Sequence, residues 1–262
     1  RRSGFLSSLL LHACDRLRHV RVLLLGGTAD GGELAAALES AGVAVLRSVA
    51  GRTAQARGEV GARVGGFGGV DGLVDYLRAT EIDAVVDATH PFAARMTANA
   101  AQACAVTGVR LLRFTRPSWA DHPLAAQWRW VPDHGAAAAL AAQASGRVLL
   151  TVGRQPLAAY RGLPDVLARV AEWQGDPVPD GMRIVEARGP FGLDAELALL
   201  RNETITLLVS KDSGGADNTA KLEAAARLDV PVVMIARPPL PEGLQQAGSV
   251  ADAVTWVGAL NH

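Results

Sequence analysis

Two cysteines in 262 residues, Cys14 and Cys104, are too few and too far apart for a disulfide framework or a thiolate metal site. No sign of charge prevails either. The 26 Lys and Arg balance the 26 Asp and Glu, which excludes the global basic field of a nucleic-acid binder. No uncharged apolar run approaches the roughly 20 residues of a membrane span. Neither tyrosine begins the Tyr-x-x-x-Lys pair of short-chain dehydrogenases, since Tyr76 is followed by Thr80 and Tyr160 by Pro164. Aromatic residues make up only 5%, against 49% hydrophobic and 20% charged, the balance of an alanine-rich α/β protein. The expectation is a cytoplasmic protein with no metal, no membrane and no nucleic-acid partner. Arg1-Arg2 ahead of Phe5 to Ala13 has an outward likeness to an export signal, but the apolar stretch is short, broken by Ser7-Ser8 and followed by Cys14-Asp15-Arg16. Residues 1–19 therefore read as an upstream extension, poorly ordered or loosely helical.

What is present begins at Val20 to Leu34, VRVLLLGGTADGGEL. Val22 to Leu25 is an apolar run too short for a helix and predicts a buried parallel strand. Leu34 and Leu38, four apart, predict a helix over Asp30 to Leu38. Glycines between a strand and a helix let backbone N–H groups approach a phosphate at the positive end of the helix. Gly26 and Gly31 fill the first and third places of G-x-G-x-x-G, while Thr28 stands in the second and offers a hydroxyl instead. Gly26, Gly27, Thr28 and Ala29 are thus the candidates for a pyrophosphate. A second strand, Val43 to Leu46, leads into Arg47-Ser48 and then Ala50-Gly51-Arg52-Thr53. An NAD site usually places a carboxylate there; Arg47, Ser48 and Arg52 instead suit the 2′-phosphate of NADP.

The alternation continues through a helix at Val70 to Ala79, a strand at Ala84 to Ala88 ending in Thr89-His90-Pro91, a helix at Ala93 to Thr107 and a strand at Arg110 to Phe114. Ala120 to Pro132, with Trp128, Trp130 and two prolines, reads as a connection. A second series follows: helix Gly135 to Ala144, strands at Val148 to Val152, Val166 to Val170 and Arg183 to Glu186, helix Leu193 to Leu200, strand Thr206 to Val209, helix Thr219 to Leu228 and strand Pro231 to Ile235. This predicts an α/β chain of two Rossmann-like domains, 20–132 and 133–262, each a parallel sheet flanked by helices. Ligands of such sheets lie beyond the carboxyl ends of the strands, where Thr89 and His90 would meet the nicotinamide half of a dinucleotide.

LLLGGTADGGELA, AGRT at Ala50 to Thr53, DATHPFA at Asp87 to Ala93, RPSW at Arg116 to Trp119, RGPF at Arg188 to Phe191, SKDSGG at Ser210 to Gly215, Lys221 to Ala225 and Val233 to Pro238 occur in that order. Together they resemble the precorrin-6A reductase family of cobalamin biosynthesis over about Val20 to Leu260. Asp30 departs from the resemblance, since relatives usually carry Glu there. The resemblance implies hydride transfer from NADPH to one double bond of the precorrin-6A macrocycle, giving precorrin-6B, and transient contact with neighbouring pathway enzymes. It also implies a large polycarboxylate substrate, best met by dispersed cations on an apolar surface. Arg113, Arg116, Arg154, Arg188, Lys211 and Lys221 are the cations near the expected loops. Ser210, Ser213 and Gly214 complete the substrate-side candidates. Lys211 and Asp212 are positioned to bind a propionate and relay a proton, and His90 to hold the carboxamide or steer substrate. Two other readings stay open: an NADPH-dependent reductase of a small imine, and a non-enzymatic NADP-sensing module.

Overall fold

Strand β1 (Arg21–Leu25) shows why the chain folds as it does. Val22 and Leu24 point into one apolar cluster, Leu23 and Leu25 into another, and all four are at most 2% exposed. Such a strand is buried on both faces, so its hydrophobicity is continuous rather than alternating. The computed structural model describes residues 20–51, 61–175, 177–215 and 218–261. The expected extension over 1–19 lies outside these.

The described residues form two compact units, one made of those from Val20 to Arg116 together with those from Pro239 onward, the other of those within Pro117–Pro238. The first unit holds a six-stranded parallel sheet in the order β12-β5-β4-β1-β2-β3, comprising β1, β2 (Ala44–Val49), β3 (Arg63–Val64), β4 (Ala84–Asp87), β5 (Arg110–Phe114) and β12 (Gln245–Ala247). Helices α1 (Ala29–Ser40) and α7 (Val250–Gly258) cover one face through Leu34, Leu38, Ala253 and Val257. Helices α2 (Val70–Ala79) and α3 (Ala94–Thr107) cover the other through Leu73, Leu77, Ala100 and Ala103.

The second unit repeats the plan with a parallel sheet ordered β6-β11-β10-β7-β8-β9. Its strands are β6 (Arg129–Val131), β7 (Arg147–Leu150), β8 (Val166–Val170), β9 (Met182–Glu186), β10 (Ile205–Lys211) and β11 (Val232–Ile235). Helices α5 (Leu193–Asn202) and α6 (Ala220–Arg227) pack Leu200, Leu222 and Ala225 against Leu149, Leu208 and Met234. Helix α4 (His134–Ala141) lies against β10 and β11.

This division differs from the expected 132/133 boundary. Arg129-Trp130-Val131, expected to be a connection, pairs in register with Val233-Met234-Ile235 as a strand of the second sheet. Gln245-Gln246-Ala247 pairs with Leu112-Arg113-Phe114, so the carboxyl-terminal segment returns to the first sheet. Both are three-residue edge strands. They are too short to show a period, and β12 is too polar to stand out.

Candidate functional site

The phosphate turn is built by capping. Thr28 Oγ1 accepts the N–H of Gly31 at 3.1 Å and donates to the Ala88 carbonyl at 3.2 Å. Its hydroxyl therefore closes the first turn of α1 and ties that turn to the end of β4, which corrects the expectation that it faces a phosphate. The amides of Ala29 and Asp30 have no intrahelical acceptor and are the donors such a helix end presents. A Cβ on Gly31 would stand 3.3 Å from Thr28 Oγ1 and 3.5 Å from Ala88 Cβ, so this glycine serves close helix–strand packing. Gly26 N–H bonds the Ser48 carbonyl at 2.8 Å. Gly27 has φ of 118° and no atom within 4 Å of where a Cβ would sit, leaving the backbone open to a ligand.

Strand β2 runs on to Val49, so Arg47 and Ser48 lie within it, opposite Leu24 and Leu25. The Arg47 guanidinium sits 3.9 Å from the Cβ position of Gly32, beside the first turn of α1. Ser48 is 5% exposed and contributes its carbonyl to the turn; the expected hydroxyl contact gives way to burial. Arg52 lies outside the described residues.

Beyond β4, the Asp87 carboxylate is fully buried and pairs with Arg113 Nη1 at 2.7 Å. Its Oδ1 also accepts the Thr89 hydroxyl at 2.7 Å and amide at 3.0 Å, while Oδ2 accepts the Thr97 hydroxyl at 2.6 Å. Arg113 is thus an interior residue, 1% exposed, and not a cation presented to substrate. The Thr89 hydroxyl is likewise spent inside the protein. Phe92 N–H donates to His90 Nδ1 at 3.1 Å, which leaves the ring proton on Nε2 and makes His90 a hydrogen-bond donor. Arg116 pairs with Asp30 at 2.7 Å, so Asp30 acts at the helix start by holding an arginine. Thr28, Asp30, Thr89, Pro91, Thr115 and Arg116 line one small recess at the carboxyl ends of β1, β4 and β5.

A second constellation occupies the same edge of the other sheet. Asp212 is 2% exposed: Oδ1 accepts Trp119 N–H at 2.9 Å, and Oδ2 accepts the Ser118 hydroxyl at 2.5 Å and faces Arg237 Nε at 3.1 Å. Both oxygens are engaged, so the expected proton relay is corrected to a positioning role. Trp119 Nε1 donates to the Gly215 carbonyl at 2.7 Å, and Gly214 and Gly215 both take positive φ, closing the 211–215 loop over the 117–119 segment. Lys211 Nζ stands 3.9 Å from the Cβ position of Gly153, at the end of β7. Ser210, 1% exposed, has a buried hydroxyl with no hydrogen-bond partner among the described residues and is not a surface contact.

Lys221 is 8% exposed; its ammonium donates to the Asn218 carbonyl at 2.8 Å and lies 4.9 Å from the Trp119 ring centre. Burial, then the charge of Arg169, push its pKa down from 10.5 to about 7, with Glu196 opposing and Lys211 adding to the fall. It supplies a buried charge in place of the expected contact. Arg169 and Glu196, not singled out in the sequence, form a pair at 2.9 Å, with Arg169 also 4.1 Å above the Phe191 ring. Arg154 is half-buried and Arg188 exposed on this edge; Ser213 N–H bonds the Lys211 carbonyl at 2.6 Å. His134 and Tyr160, also missed, share a 3.0 Å hydrogen bond, and burial and Lys211 lower the histidine's pKa.

A cavity of about 760 Å³ lies elsewhere, at the amino ends of β5 and β12, lined by Arg110, Gln245, Trp256 and Cys104. Burial and the Asp87 charge push the Cys104 thiol up to about 12, so it is inert as a nucleophile. Among the described residues no cluster suits a metal ion, and no helix is long and apolar enough to cross a membrane.

The family described as precorrin-6x reductase CbiJ/CobK matches residues 21–258. The chain belongs to this family. A precorrin-6A reductase of Rhodococcus erythropolis is 44% identical over 244 residues, covering 92% of this chain and 98% of the relative. One of Mycobacterium tuberculosis is 45% identical over 243 residues with the same coverage. A solved structure described as CobK precorrin-6A reductase aligns with a TM-score of 0.83 at 41% identity, covering 92% of this chain and 97% of its own. The two parallel six-stranded sheets are therefore those of a precorrin-6x reductase. The Gly26 turn, the THP loop and the SKDSGG loop all fall inside the matched span.

Proposed function

We propose that this family member is a precorrin-6A reductase that uses NADPH, with the cofactor on the first unit and the macrocycle carboxylates on the cations of the second. The protein is an oxidoreductase of cobalamin biosynthesis acting on a tetrapyrrole intermediate, and a reductase of this family implies a nicotinamide cofactor. The observation that carries the cofactor reading is the turn itself: Gly27 open to a ligand, Thr28 capping, Gly31 packed on Ala88 and Arg47 beside the first turn. The residues fit the group. When bound, NADPH supplies the hydride. The Gly27, Ala29 and Asp30 amides hold the pyrophosphate, Arg47 selects the 2′-phosphate, and the Nε2–H of His90 holds the carboxamide. In the second unit Lys211, Arg154 and Arg188 take propionate and acetate groups, while partly buried Arg169 and buried Lys221 add positive potential that Glu196 alone does not cancel. Asp212 keeps the Lys211 to Gly215 loop in place for that task.

Anaerobic incubation with NADPH and precorrin-6A tests the reading: reduced-nicotinamide absorbance falls and the macrocycle gains the mass of two hydrogens. Folded protein that produces neither change sinks it. The choice of NADPH over NADH is tested separately. Arg47→Ala weakens NADPH binding by about tenfold or more, the worth of a charge-assisted bond, and leaves NADH within about twofold. Equal losses for both nucleotides would remove Arg47 from the 2′-phosphate.

A further inference from the structure

A guanidinium 1% exposed inside a parallel sheet is costly, because its desolvation offsets most of what its partner returns. Arg113 shows that cost plainly: its Nε has no hydrogen-bond partner among the described residues. An apolar side chain would serve the core between β5 and α3 at least as well. What Arg113 does instead is converge on the end of β4, at Asp87 and Thr89. Nη1 donates to the Asp87 carbonyl and the Thr89 hydroxyl, each at 3.1 Å, and Nη2 donates to the Thr89 carbonyl at 2.8 Å. Asp87 takes the Thr89 amide and hydroxyl from the other side, and Thr97 on α3 holds the remaining carboxylate oxygen.

The amide, carbonyl and hydroxyl of Thr89 are thus all fixed by this network. The residues after it are fixed as well, since His90 Nδ1 accepts from Phe92 and its carbonyl accepts from Ala93 at 2.8 Å. One residue earlier, the Ala88 carbonyl takes the Thr28 hydroxyl of the phosphate turn. The loop is consequently anchored at one end to the turn that would hold the pyrophosphate and at the other to Arg113. Such anchoring sets the spacing between the two halves of a dinucleotide before it binds, which lowers the ordering cost of binding.

We propose that Arg113, with Asp87 and Thr97, is a positioning residue for the nicotinamide half of the cofactor, acting through Thr89-His90-Pro91. The inference rests on the NADPH reading above. It separates the two halves of the ligand: the adenosine 2′-phosphate half lies on the Gly26 turn and Arg47, to which the side chains of Arg113, Asp87 and Thr97 make none of the hydrogen bonds described above.

Titration calorimetry with NADPH and with 2′,5′-ADP, which lacks the nicotinamide half, tests it on the intact chain. Thr97→Val removes one hydroxyl at nearly constant shape and weakens NADPH about fivefold, the worth of one buried hydrogen bond, while 2′,5′-ADP stays within about twofold. Arg113→Lys keeps the charge but loses the fork, and weakens NADPH by about tenfold or more with the same indifference to 2′,5′-ADP. If Arg113→Lys fails to fold, Thr97→Val decides alone. Unchanged NADPH affinity in Thr97→Val, or equal weakening of both ligands, overturns the inference. Parent protein that binds neither ligand overturns the cofactor reading itself, a different outcome.

Discussion

Asp212→Ala unfolds at a midpoint roughly 6–20 °C below the parent chain, the equivalent of about 3–5 kcal/mol for breaking one side of a buried ion pair. The loss is large because the Asp212 carboxylate serves three partners: Trp119 N–H, the Ser118 hydroxyl and Arg237 Nε. Removing the carboxylate takes the charge partner from a mostly buried arginine and leaves the 117–119 segment tied to the 211–215 loop through Gly215. Asp212→Asn keeps an acceptor for Trp119 but not the charge for Arg237, and recovers only part of the midpoint. Its residual turnover follows the parent's pH profile, while its requirement for tetrapyrrole rises as the Lys211 loop loosens. A thermal melt beside a pH–rate profile separates the roles. An unchanged midpoint with a displaced profile would return Asp212 to proton transfer.

That correction marks where sequence stops informing. The SKDSGG segment was legible as a strand end with a glycine turn, and both glycines do take positive φ. What Asp212 faces depends on Ser118 and Trp119, more than 90 residues earlier, and Arg237, 25 residues later. A local spacing carries none of that. The same holds for Arg113, a cation in a loop-rich neighbourhood by sequence and the floor of a loop by structure. Its partner Asp87 ends an otherwise apolar strand, AVVD, which is the one signal that could have suggested a buried pair.

The fold was legible wherever a strand is central. β1, β4, β7, β8, β10 and β11 announce themselves by apolar runs, because burial on both faces admits few polar residues, Asp87 and Ser210 at strand ends among them. The edge strands β6 and β12 carry no such constraint, and with them went the boundary between the units. Gly26 and Gly31 were readable as fingerprint positions, but the backbone asks for glycine at Gly27, whose φ is 118°, and at Gly31 the demand is close packing on Thr28 and Ala88. Thr28 was readable as a position but not as a role, since its hydroxyl could serve the helix or a ligand and only the position of Ala88 decides.

Lys221→Met should make the protein more stable and a poorer binder of its substrate. The ammonium is held in a buried place with Arg169 and Lys211 nearby, compensated by the Asn218 carbonyl, the Trp119 ring and one carboxylate, Glu196. Replacing such a charge by an apolar side chain of similar length gains on the order of 1–4 kcal/mol. The pH dependence gives the prediction its sign. Folded Lys221 titrates near pH 7 and unfolded lysine near 10.5, so between these values the unfolded chain binds more protons and this group's contribution to stability rises with pH. Below pH 7 the whole penalty is present; above 10.5 it has gone. The advantage of Lys221→Met in unfolding midpoint is therefore largest near pH 6 and shrinks steadily toward pH 10. An advantage that is constant with pH would mean that Lys221 keeps its ordinary pKa. On the functional side, a substrate carboxylate entering this field draws a proton onto Lys221, so the parent's tetrapyrrole affinity falls as pH rises above 7. In Lys221→Met that pH dependence is flattened and the affinity is lower at pH 6, the stability gained being the counterpart of the binding energy lost.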